Sequence, residues 1–155
     1  MKNAFTMIEL VFVIVVIGIL AMIAIPKFSA TRDDAVITKA KTTVASVRSS
    51  MSSEVQRRVL SGNYTAIQDV GGVINGYNEP IFDYFDSNSS NNRVLEYPPY
   101  SCKDSSKQGC WMRTGNNTYQ FIFPPAIGSS VTFTVQNNRF DCTSSDKTKC
   151  KLLER

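Results

Sequence analysis

The stretch that decides the reading of this chain is Phe5-Thr-Met-Ile-Glu-Leu-Val-Phe-Val-Ile-Val-Val-Ile-Gly-Ile-Leu-Ala-Met-Ile-Ala-Ile25. Of its 21 residues, 18 are apolar, the exceptions being Thr6, Glu9 and Gly18. As a helix it would cover about 31 Å, the thickness of a bilayer core, so residues 5–25 are expected to form a transmembrane helix. Only Met-Lys-Asn-Ala precedes the run, and Ile25-Pro26-Lys27 follows it where a secretory signal would show small residues. The segment is therefore expected to be kept rather than removed as a secretory signal.

The averages conceal this segregation. A chain of 155 residues with 43% apolar and 19% charged residues reads as one ordinary domain. The formal charge of +4 is equally uneven. Residues 26–61 carry Lys27, Arg32, Lys39, Lys41, Arg48, Arg57 and Arg58 against Asp33, Asp34 and Glu54, whereas residues 62–155 carry equal numbers of each sign. The excess sits just after the apolar run, where anionic headgroups, an acidic neighbour or plain solvent could meet it. There is no histidine, which removes the commonest general base, the familiar catalytic triads and most zinc sites, so no enzyme is expected. Cys102, Cys110, Cys142 and Cys150 all fall in the C-terminal third, an even count that suggests disulfides and an oxidising compartment.

Pro26 lacks a backbone donor, so the helix is expected to kink there without ending. Beyond it, Ile37, Ala40, Val44, Val47, Met51, Val55 and Val59 recur at steps of three and four, the stripe of an amphipathic helix over residues 26–61. Gly62-Asn63 supplies its stop. Residues 63–92 read as a mostly irregular connection with a short helical piece. Short strands are expected at Arg93–Tyr97, Cys110–Thr114, Thr118–Phe123, Val131–Gln136 and Arg139–Cys142, with turn signals at Gly115-Asn116-Asn117 and Asn137-Asn138. The fold class is α+β, with a long N-terminal helix on a small antiparallel sheet.

Glu9 is the anomaly of the apolar run. A carboxylate at a bilayer centre costs about 2.5–3.5 kcal/mol on insertion scales. It is read either as an interfacial residue reaching headgroup water or as a carboxylate awaiting a cation from another subunit, which would fix register. Ala4-Phe5-Thr6-Met7-Ile8-Glu9-Leu10, the unbroken apolar stretch with Gly18, and then Pro26 together resemble the class III signal and N-terminal helix of type IV pilins and type II secretion pseudopilins. The resemblance covers residues 1–60 and implies a pilin-like fold. It implies that residues 1–4 are a leader cut at the Ala4–Phe5 bond by prepilin peptidase, that Phe5 is N-methylated, and that Glu9 is the assembly glutamate. It also implies that Pro26 is the helix-bending proline. Ala4 departs from the usual glycine before the cut.

The resemblance further implies a structural subunit of a pseudopilus assembled from the inner membrane for type II protein secretion or DNA uptake. A minor or major subunit of a surface type IV pilus and a membrane-tethered periplasmic binding module are the alternatives. The implied partners are other copies, other pilin-like subunits, prepilin peptidase, the inner-membrane assembly platform and membrane lipid, with no nucleic acid bound directly. The implied location is single-pass in a bacterial inner membrane, with residues 62–155 as a periplasmic head. No cofactor is expected.

The four cysteines echo each other, seven residues separating Cys102 from Cys110 and Cys142 from Cys150. Three connectivities are open. The two local loops are favoured, each contributing about 2.5 kcal/mol on the chain-entropy model, and Cys142–Cys150 would resemble the C-terminal disulfide loop of many pilins. Asp86-Ser-Asn88-Ser-Ser90 resembles the acidic-extended acceptor of bacterial N-glycosylation, with Asn88 as acceptor, and reads equally as a flexible polar loop. Asp141 and Asp146 are too sparse for the calcium loop of some pseudopilins, and no metal is expected. Trp111, Arg113, Lys147, Lys149 and Lys151 could form an aromatic-basic patch for DNA or simply the exposed rim of the sheet.

Overall fold

A computed structural model of the chain describes residues 6–90 and 92–154, with the side chains of residues 23–31 excepted. The elements run α1 (Met7–Leu60), a 3-10 turn (Phe85–Ser87), β1 (Cys110–Arg113), β2 (Thr118–Ile122), β3 (Ser130–Gln136), β4 (Arg139–Cys142) and α2 (Lys147–Glu154). The chain divides into two compact units, Met1–Ala35 and Val36–Arg155.

In the first unit the described part of α1 is apolar and exposed from Met7 to Met22. Among the described residues no helix is long and apolar enough to cross a membrane. This overturns both the transmembrane first half expected of the fold and the single-pass inner-membrane location. The helical assignment runs through Pro26, and the bend expected there lies outside what is described, as do Ala4 and Phe5.

The second unit is built on one ridge of α1. Ala40, Val44, Val47 and Met51 are buried, with Val36, Ile37 and Val55 partly so. They pack with the inner face of a four-stranded antiparallel meander, order β1-β2-β3-β4. Alternation fixes that face: Tyr119 and Phe121 on β2, Val131, Phe133 and Val135 on β3, and Phe140 on β4 are buried, while the residues between them are not. The rings interlock, with the Phe133 and Phe140 centroids 5.0 Å apart and stacked, and Phe82 edge-on to Trp111 at 5.3 Å. Asn137 and Asn138, both at positive φ (51° and 60°), form the two-residue turn that joins β3 to β4.

α1 stops as its sequence demands. Gly62 (φ 74°) donates to the Val59 carbonyl at 3.0 Å, and Asn63 to that of Arg58 at 2.8 Å, the paired bonds of a glycine C-cap. The segment after it is irregular and held by side chains. Buried Tyr119 accepts from the Val70 N–H at 3.0 Å and donates to the Gly71 carbonyl at 3.1 Å. One Asp83 oxygen accepts from the N–H groups of Gly72 and Tyr84 at 2.8 and 2.9 Å. A Cβ at Gly71 would lie 2.0 Å from that same oxygen, so the chain passes there only as glycine.

Two expectations about the second unit are corrected, and one element is added. Arg93–Tyr97 is not a strand: an isolated bridge links Tyr84 and Arg93, and Pro98 and Pro99, which lack N–H groups, follow at once. The C-terminal helix α2 was not anticipated. The buried ridge also does not continue to Val59, which is 48% exposed; Glu54 and Arg58, at 3% and 6%, take the inward positions.

There Glu54 receives Arg57 through two bonds of 2.8 and 2.6 Å, Arg58 Nε at 2.8 Å and Asn92 Nδ2 at 3.2 Å. Arg58 reaches on to Asp86 at 2.6 Å. Burial raises the Glu54 carboxyl, but the hydrogen bonds from Arg57, Arg58 and Asn92 outweigh it and hold the group at about 2 against an ordinary value of 4.5. A carboxylate depressed by folding stabilises the fold above its unfolded value and loses that contribution as pH falls through its folded one. Stability is therefore expected to drop by roughly 3 kcal/mol between about pH 5 and pH 2 through this group. Urea melts across that range should show the drop in the native chain, and a flatter acid limb from a lower starting point in Glu54→Gln.

Candidate functional site

The N-terminal turn of α1 shows what Glu9 does locally. Thr6 precedes the first helical residue, and its hydroxyl accepts from the Glu9 N–H at 3.3 Å. Glu9 reaches back, its Oε2 accepting from the Thr6 N–H at 2.9 Å and the Thr6 hydroxyl at 2.8 Å. Thr6-Met7-Ile8-Glu9 is thus a capping box, which satisfies donors that a helix start leaves bare. The bonds from the Thr6 backbone and hydroxyl hold the Glu9 carboxyl below its ordinary value. The carboxylate also lies at the positive end of the helix dipole. The sequence carried this signal at its T-x-x-E spacing, but the apolar surroundings drew attention to an absent cation instead.

From this cap the helix presents a continuous apolar surface. Met7 is 86% exposed, Phe12 68%, Leu20 62% and Met22 80%. Exposure on every side of a helix is unlike the one-sided stripe of residues 36–51.

Three of the seven basic residues in 26–61 form ion pairs among the described residues. Arg48 pairs with Glu154 and Asp141, Arg57 and Arg58 with Glu54, and Arg58 with Asp86. Lys39 and Lys41 form no ion pair among the described residues and are exposed.

The other candidates separate. The cysteines form Cys102–Cys110 and Cys142–Cys150, the two local loops. The aromatic-basic patch does not exist as a surface, because Trp111 and Arg113 are each 4% exposed. Arg113 pairs with Asp69 at 3.1 Å and donates to the carbonyls of Gly72, Gly115 and Asn116 and to the Ser87 hydroxyl, which leaves it committed to the fold. Lys149 is held by Asp146 at 3.6 Å. Asn88 is exposed, and its Oδ1 accepts from the Ser90 N–H at 3.0 Å. The acidic residue of its motif, Asp86, is engaged by Arg58 and by the Gln68 N–H at 2.7 Å. Among the described residues no group of three or more metal-ligating side chains converges.

Comparison of the chain with protein-family profiles, with curated proteins and with solved structures gives no match.

Losing a side-chain cap costs about 1 kcal/mol of helix stability. Thr6→Ala is therefore expected to speed hydrogen exchange at the Glu9 and Leu10 amides by roughly fivefold and to leave the β3 amides unchanged, as amide-resolved exchange would show.

Proposed function

We propose that this protein is a structural, pilin-like filament subunit that polymerises through the N-terminal part of α1 and serves type II protein secretion or DNA uptake. The observation that carries the reading is the exposed apolar surface from Met7 to Met22. A helix exposing large apolar side chains on all sides gains by packing against copies of itself, and parallel subunits in a helical array offer that packing repeatedly. The leader-like residues 1–4 and the Ala4–Phe5 junction support the same reading from the sequence.

Within it Glu9 has two uses. In the isolated subunit it completes the capping box with Thr6. In the filament, removal of residues 1–4 creates an α-amine on Phe5, and a neighbour's Glu9 is the carboxylate that meets it. Exchange of a Thr6 contact for an ion pair fixes register while the apolar faces supply the contact area.

Two variants separate these uses. Glu9→Val is expected to abolish filaments seen by electron microscopy and recovered by pelleting, whereas Thr6→Ala, which loses only the cap, is expected to assemble. Normal filament yield from Glu9→Val would overturn the assignment. The intact mass of the wild-type protein from its own host is expected to show loss of Met1–Ala4 and gain of one methyl group.

A further inference from the structure

Strand β4 ends the sheet order, so among the described residues one of its edges has no strand beside it. The register fixes which backbone groups face that way. The Asn137-Asn138 turn makes Gln136 and Arg139 the closing pair, and the Thr143 N–H donates to the Thr132 carbonyl at 2.8 Å. Residues 139, 141 and 143 therefore bond to β3, and Phe140 and Cys142 present their N–H and C=O groups outwards.

Side chains take up two of those outward groups. Arg48 Nε donates to the Phe140 carbonyl at 2.8 Å, and the Cys142 N–H donates to Glu154 Oε1 at 3.3 Å. Arg48 Nη2 and the same Glu154 oxygen are 2.6 Å apart, so one ion pair drawn from α1 and α2 lies along the edge. The Cys142–Cys150 disulfide ties α2 to the end of the strand it covers. Arg48, Ser52, Asn138, Phe140 and Glu154 line a cleft of about 400 Å³ at this place.

The edge is also complementary to itself. Arg139 and Asp141 lie on the face opposite the buried Phe140 ring, and within one copy they pair at 2.8 Å. If a second β4 is laid antiparallel with Phe140 opposite Phe140, each Arg139 faces the other copy's Asp141, and the two Phe140 residues form a hydrogen-bonded pair. A parallel alignment would set like charges opposite each other.

We propose that the outer edge of β4 is a docking strand for a second copy of this chain, held shut by the Arg48–Glu154 bridge. Opening the bridge releases the Phe140 carbonyl, the Cys142 N–H and Asp141, which Arg48 also touches at 3.5 Å. These are the groups that an antiparallel partner uses. An uncovered strand edge is a template for pairing, and this bridge covers it.

The test uses the full chain in mild detergent micelles, with chains per micelle and hydrogen exchange at the Phe140 amide as readouts. The wild type sets the baseline, including any association through α1 that all variants share. Glu154→Ala and Arg48→Met are each expected to double the number of chains per micelle and slow Phe140 exchange by at least about tenfold. Adding Arg139→Asp sets aspartates against each other and is expected to return both readouts to baseline. The double exchange Arg139→Asp with Asp141→Arg is expected to restore pairing. Retained protection at Phe133 shows that the sheet is intact. The proposal falls if both opened variants keep the wild-type values, or if their association ignores Arg139→Asp. Loss of Phe133 protection in both would also overturn it, since the bridge would then be part of the fold rather than a latch.

Discussion

Everything in the second unit depends on one ridge of α1. Ile37, Ala40, Val44, Val47, Met51, Glu54 and Arg58 follow each other at alternating steps of three and four, and each faces the rest of the unit. The small sheet has only four strands and would not be stable with a bare face. The helix supplies the missing layer, and the strands supply the apolar contact that a helix of 54 residues needs over this part of its length. Where the ridge turns charged, the contact changes from ring packing to an ion network that also binds the irregular segment through Asp86 and Asn92. One geometric line thus holds two kinds of neighbour.

How much of this the sequence disclosed varies with the kind of signal. Periodicity places the ridge as far as Val55 and fails at Val59, which is exposed, while charged Glu54 and Arg58 take buried positions that an apolar pattern does not mark. Geometry, not residue type, decided. The four strands between Cys110 and Cys142 were legible from alternation and their asparagine turns. Helix α2 was not, since Lys147-Thr-Lys-Cys-Lys-Leu-Leu-Glu154 buries only Cys150 and Leu153, too few for a recognisable face. Trp111 and Arg113 read from the sequence as part of a patch for DNA or as an exposed rim of the sheet. Trp111 instead packs among the Phe82, Phe121 and Phe133 rings and Arg113 is held by Asp69, Gly72 and Ser87, long-range contacts that no local pattern reveals.

Of the candidate site, the capping box at Thr6 and Glu9 was present as a spacing but was masked by its apolar context. The charge excess of residues 26–61 reads as a solvated helix face, which holds for exposed Lys39 and Lys41 and not for Arg48 and Arg58. Arg48 and Arg58 meet acids from distant parts of the chain, so part of a local surplus becomes internal pairing once Asp86, Asp141 and Glu154 fold back on it, while Arg57 pairs with Glu54 on its own helix. Net charge by segment describes a surface only when its partners are counted too.

The division at Ala35 and Val36 falls inside α1, not in a loop. Most domains are joined by irregular linkers that proteases enter because the chain there is already extended. Here a cut between the units requires local unwinding of a hydrogen-bonded helix. The two units are distinct in their packing, yet the chain joins them without an extended linker that a protease could enter.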